Sequence, residues 1–82
     1  MRKYLLFNLD GLESTPIGVI PVIMAICDTK EEMFVEIIEA LIAFGFEEDR
    51  ALMSCTSYDE IIPILEANED DILLKVWEWE QP

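Results

Sequence analysis

The stretch Arg50-Ala51-Leu52-Met53-Ser54-Cys55-Thr56-Ser57-Tyr58-Asp59-Glu60-Ile61 decides the fold. From Cys55 onward it matches Cys27-Asp28-Thr29-Lys30-Glu31-Glu32-Met33 position by position: cysteine, small polar, hydroxyl, any residue, acid, glutamate, apolar. Each copy reads as a strand end running into a capped helix. The Thr29 hydroxyl is placed to accept from the amide of residue 32 while Glu32 reaches back to the amide of residue 29. Shared capping chemistry is enough to produce such a match without duplication. On this reading residues 50–55 form a short third strand and residues 57–67 a helix, its first turns shortened or bent by Pro63.

Working outward, residues 19–27 (Val-Ile-Pro-Val-Ile-Met-Ala-Ile-Cys) are apolar at both alternating sets of positions, the pattern of a strand covered on both sides. This predicts the central strand, with Pro21 near its beginning, where a missing donor costs least. The helix that follows runs to about Phe44, and Gly45 supplies a left-handed stop. Residues 2–9, rich in aromatic and aliphatic side chains, predict a first strand ending at Asp10-Gly11, and residues 10–18 a loop. Residues 72–80 alternate Ile72, Leu74 and Val76 against Leu73, Lys75, Trp77 and Trp79, a final strand.

The expected fold is therefore a single α+β domain over residues 1–82, a two-layer sandwich in the order ββαβαβ. Its mixed four-stranded sheet carries two helices on one face. Right-handed crossovers would make the last three strands parallel neighbours, with the first strand antiparallel to the second. Two helices leave the other sheet face poorly covered. Trp77 and Trp79 either cap the sheet end against the first strand or form a partner or weak homodimer surface, since large exposed apolar patches usually mean contact.

Composition narrows the function classes. The chain has 18 acidic and 5 basic residues, a net charge of −13, no histidine, and is 52% hydrophobic. At this length a chain buries only roughly 60% of its unfolded surface, yet its apolar majority argues against disorder. Arg2, Lys3, Lys30, Arg50 and Lys75 are too few and too scattered to contact phosphates, which excludes direct nucleic-acid binding and anionic membrane surfaces. Without histidine there is no imidazole base and no histidine-ligated metal. The apolar start breaks at Asn8 and Asp10, too early for a signal peptide, and residues 17–27 are too short to span a bilayer, so a cytoplasmic location is expected. Cys27 and Cys55 lie too far apart for a C-x-x-C pair and are too few for a zinc or iron-sulfur site. Paired carboxylates on loops, with no evident apolar pocket to raise one pKa, give no support to glycosidase-like chemistry, so no enzyme is expected.

The expected topology gives the charge a location. Three acidic loops would meet at one end of the sheet, bringing Asp10 and Glu13, then Glu47, Glu48 and Asp49, then Glu69, Asp70 and Asp71 together, with only Arg50 nearby. Like charges about 4 Å apart repel by roughly 1 kcal/mol even in water, so a bound cation would relieve the cluster. Ca²⁺ suits loose oxygen-rich loops better than Mg²⁺, which competes at high concentration; no EF-hand run is present. The plain alternative is a solvated acidic surface, although acids just past a helix C-terminus are unfavourable to the helix dipole. A second feature is the stripe Glu32, Glu36 and Glu39 opposite Phe34, Ile37, Leu41 and Phe44. It reads either as a solvated face or as a phosphate mimic that binds a basic protein.

In its size, its Glu47-Glu48-Asp49 and Asn68-Glu69-Asp70-Asp71 clusters and its order of elements, the chain resembles small acidic α+β proteins of methanogenic archaea described as calcium-binding. The resemblance covers nearly the full chain and implies Ca²⁺ as the cation, without implying which residues ligate it. An anaerobic cytosol of that kind would keep thiols reduced, thermophilic archaea being the exception. The leading expectation is a non-enzymatic Ca²⁺-binding protein, and the alternative is an acidic protein-interaction module using Glu32, Glu36, Glu39, Trp77 and Trp79.

Overall fold

The computed structural model describes residues 1–16 and 18–80; the side chains of residues 12–15 and 19–21, Glu13 among them, lie outside the described set. The elements run β1 (Arg2–Thr15), β2 (Gly18–Cys27), α1 (Lys30–Ala43), α2 (Arg50–Met53), α3 (Tyr58–Ala67), α4 (Glu69–Ile72) and β3 (Leu74–Glu80). The sheet has three strands in the order β2-β1-β3, both pairings antiparallel. This corrects the expected mixed four-stranded sheet in ββαβαβ order with two helices.

The first departure from the expected order lies at residues 50–55. Residues 50–53 are helix α2, because Asp49 caps them: its Oδ1 accepts from the Leu52 amide at 3.1 Å. Ala51, Leu52 and Met53 are strong helix formers, and Leu52 is fully buried. Cys55 follows a helix, whereas Cys27 ends a strand, so the two matching segments share only the cap.

The second departure is the place of β1. It is the central strand, and it continues through residues 10–15, which were expected to be a loop. Leu9, Asp10 and Gly11 bulge out between the pairs Asn8↔Val22 and Leu12↔Pro21, and pairing then resumes to Thr15↔Gly18. A Cβ on Gly11 would lie 3.1 Å from Val22 Cγ2, so glycine allows this close approach. β2 is an edge strand, where Pro21 is tolerated for want of a donor. Both β2 and β3 run antiparallel to β1, so they are parallel to each other. β1 is simply inserted between them, as in a split β-α-β unit.

The helix boundaries largely match the caps in the sequence. Thr29 Oγ1 accepts from the Glu32 amide at 3.1 Å. Ser57 Oγ accepts from the Glu60 amide at 3.3 Å, while Glu60 Oε1 accepts from the Thr56 amide and hydroxyl. Gly45, at φ 91°, ends α1 in a Schellman turn: Phe46 N–H donates to the Leu41 carbonyl and Gly45 N–H to that of Ile42. Leu73, at φ 62°, ends α4, and its carbonyl accepts from the Leu9 amide at 2.9 Å, tying the start of β3 to the bulge.

The helices cover one face of the sheet. Leu6 and Leu74 meet Met33, Ile37, Leu41, Leu52 and Ile61 in a core of fully buried side chains, each worth about 1.5–3 kcal/mol relative to exposure. Tyr4 and Tyr58 close one end edge to face, with ring centroids 5.5 Å apart. The Tyr58 hydroxyl donates to Glu78 Oε1 at 2.9 Å. Burial, with help from that carboxylate, pushes the Tyr58 pKa well above the ordinary phenol value. Among the described residues no helix is long and apolar enough to cross a membrane.

Candidate functional site

Because side chains alternate along a strand, burying Tyr4, Leu6 and Leu74 against the helices sends Lys3, Leu5, Phe7, Lys75, Trp77 and Trp79 to the opposite face. The register arranges that face in rows. Leu5 stands between Ile26 on β2 and Trp77 on β3, Phe7 between Ile23 and Lys75, and Lys3 beside Trp79. Ile26 is 62% exposed, Trp77 58% and Trp79 48%, while Met24 is exposed at an irregularity in β2. Phe7 and Trp77 lie with ring centroids 6.3 Å apart. Six apolar residues are thus contiguous, and no carboxylate occupies any of these outward positions.

The two lysines on this face are neutralised from within the chain. Lys3 pairs with Asp28 at the end of β2, and Lys75 Nζ lies 3.7 Å from Glu69 Oε1. Arg2 pairs with Glu80 at 3.0 Å and Glu78 at 3.8 Å, and its hydrogen bond holds the Glu80 carboxyl below the usual range.

The residues expected to hold a cation are distributed differently. Glu47 and Glu48 are exposed between α1 and α2, and Asp49 is occupied as the α2 cap. Glu69, Asp70 and Asp71 directly follow the C-cap of α3 at Asn68, as expected, and at the same time form the first turn of the four-residue helix α4, whose N-terminus tolerates acids. Glu69 instead pairs with Lys75 and, with Glu66, Ile62, Leu65, Leu74 and Val76, lines a cavity of about 250 Å³. Asp10 and Asp71 do come together: with Asn8, Phe44, Phe46, Ile72 and Leu73 they line an open cavity of about 360 Å³. Asn8 Oδ1 is held there by the Asp10 amide at 2.9 Å. The Glu13 side chain lies outside the described set. Among the described residues no group of three or more Asp, Glu or Cys side chains is placed to hold a metal ion.

On α1, Glu32 and Glu39 are exposed and Glu36 is half-buried, away from Met33, Ile37, Ala40 and Leu41 in the core. Cys27 and Cys55 are free thiols, and burial raises the pKa of each, leaving both poor nucleophiles. Of the residues on this face, Trp77 and Trp79 are expected from the sequence to lie exposed there, and they do; Leu5, Phe7, Ile23 and Ile26 are not among the residues expected there. The available signal was that residues 4–7 and 19–27 are apolar on both alternating faces in a chain with too little helix to cover both. No protein-family model, curated protein or solved structure matches this chain.

Proposed function

We propose that this chain is a non-catalytic, acidic interaction module that docks protein against the uncovered face of its sheet. One observation carries the reading: Leu5, Phe7, Ile23, Ile26, Trp77 and Trp79 form a continuous apolar surface on a chain of net charge −13, and the carboxylates that reach its edge among the described residues, Asp28 and Glu69, are paired there with Lys3 and Lys75. Acids are abundant in the chain, yet among the described residues none stands in the centre of that face, as a contact surface requires. Aromatic residues set in a charge-depleted centre are also the usual composition of an interface core. A photo-crosslinking side chain at Ile26, activated in cells producing the full chain, tests the reading. Adducts are expected from Ile26 and not from Val35, an equally apolar exposed position on α1. No adduct from Ile26, or equal yield from Val35, would refute it.

A calcium-binding reading is supported by one specific feature, the meeting of Asp10 and Asp71 with Asn8 at a single cavity. Ca²⁺ needs six to eight oxygens, so backbone carbonyls and water would have to supply most of them. A calcium titration followed by amide shifts tests it. Saturable shifts confined to residues 8–11 and 69–73 would support a site, and uniform shifts across all acidic segments would mean only charge screening.

A further inference from the structure

We infer that the occupant of the open face is a second copy of this chain, the two sheets stacked face to face about a two-fold axis; this rests on the docking reading above. Area is the first argument. A tryptophan carries about 150–250 Å², so at their exposures Trp77 and Trp79 present about 200 Å², and their four apolar neighbours raise the patch to roughly 500 Å². Interfaces are about 60% apolar, so a patch of this size with its polar rim corresponds to roughly 800 Å² per partner, the standard interface size. The total surface of 5492 Å² makes the patch alone roughly a tenth of the molecule.

Charge selects the occupant. A partner recognised by charge would need unpaired charges on the face, whereas Lys3 and Lys75 are already matched by Asp28 and Glu69. The face is therefore locally neutral, and an identical neutral face meets it without like charges opposed. The surplus acids of α1 and α3 lie behind the sheet. Stacked sheets sit about 10 Å apart with a helix layer of about 10 Å behind each. The two acidic layers are then roughly 30 Å apart, several times the screening length of about 8 Å at physiological salt. Two such chains can associate through their sheets despite their large net charges, and a two-fold dimer is the commonest symmetric form that self-association takes.

Sedimentation equilibrium of the full chain across roughly 1 to 500 µM, a range spanning the weaker affinities of interfaces this size, tests the inference. The expected result is a mass rising to twice the 9.5 kDa of the monomer, with tighter association as NaCl is raised from about 50 to about 500 mM. Trp77→Lys and, separately, Ile26→Lys should each weaken it by about 30-fold or more. Val35→Lys on α1 should leave it unchanged. Circular dichroism of each variant identifies any that fails to fold, and the other face variant then decides. A monomer at every concentration, or a dimer lost with Val35→Lys and kept with Trp77→Lys, overturns the inference. If the chain is monomeric while Ile26 still crosslinks to a different protein in cells, the dimer fails and the docking reading stands; absence of both sinks both.

Discussion

Phe7 on the central strand and Trp77 on the edge strand lie with ring centroids 6.3 Å apart and planes tilted by 33°, on the side of the sheet away from the helices. The pair is diagonal in the ladder, since Phe7 stands opposite Lys75 and Trp77 opposite Leu5. Cross-strand contacts of this kind contribute roughly 0.2–1 kcal/mol. Trp77→Lys should therefore cost the monomer no more than about 1 kcal/mol, and urea denaturation at low protein concentration would measure it. A much larger loss would mean that Trp77 supports the fold rather than an exposed surface.

The helical side should respond very differently. Leu41 has no exposed surface and packs within the core beneath α1. Leu41→Ala should cost about 2–5 kcal/mol, a large share of the roughly 5–15 kcal/mol that holds a domain together. The same urea experiment reads this as a large fall in midpoint with little change in slope.

Tyr58 links the layers through its bond to Glu78, and its raised pKa fixes the sign of a pH effect. A group with a raised folded pKa contributes stability that is fully present below the unfolded value, about 10 for tyrosine, and lost as pH rises through the folded value. Wild-type protein should therefore lose stability above about pH 10. Tyr58→Phe should cost about 1 kcal/mol near neutrality and lack that component of the alkaline loss. Thermal melts of the two proteins from neutral to strongly alkaline pH would check this.

Glu60 gives the opposite sign. Hydrogen bonds donated by Thr56, first from its hydroxyl and then from its amide, together with one from Ser57, hold the Glu60 carboxyl below its ordinary range. Its contribution is present above the ordinary glutamate value of about 4.3 and lost as pH falls through the lower folded one. Glu60→Gln should melt below wild type at neutral pH, and the gap should close as pH drops past about 4. A gap that is constant with pH would show that the Thr56 bonds do not depend on the ionised carboxylate.

The legible parts of the fold were those set by local chemistry. Thr29, Ser57 and Gly45 mark helix ends that the structure keeps, and the alternation over residues 72–80 marks β3, which starts only at Leu74 because Ile72 belongs to α4 and Leu73 closes it. The illegible parts depended on which element neighbours which. Residues 50–53 were read by analogy with the segment at Cys27, although Ala51, Leu52 and Met53 behind an Asp49 cap favour helix by local propensity alone. The apolar pattern of β2 was read as burial on both sides. In the structure β2 is an edge strand, and Ile26 is apolar while exposed, so the pattern recorded an uncovered face. The expected convergence of eight carboxylates rested on parallel neighbouring strands; with β1 in the middle, Asp10 and Asp71 line one cavity while Glu47, Glu48 and Asp49 lie between α1 and α2.

Trp77 and Trp79 are the only tryptophans in the chain, and both lie on the open face. Tryptophan emission, excited at wavelengths where Tyr4 and Tyr58 do not absorb, therefore reports on that face alone, and its dependence on protein concentration tests most directly whether the face is covered. Concentrating the full chain from about 1 to about 500 µM should move the emission to shorter wavelength and reduce quenching by acrylamide, in step with the rise in mass. Trp79, the remaining tryptophan in Trp77→Lys, should show neither change. Emission and quenching that stay constant and solvent-exposed over the whole range in wild-type protein would contradict the account.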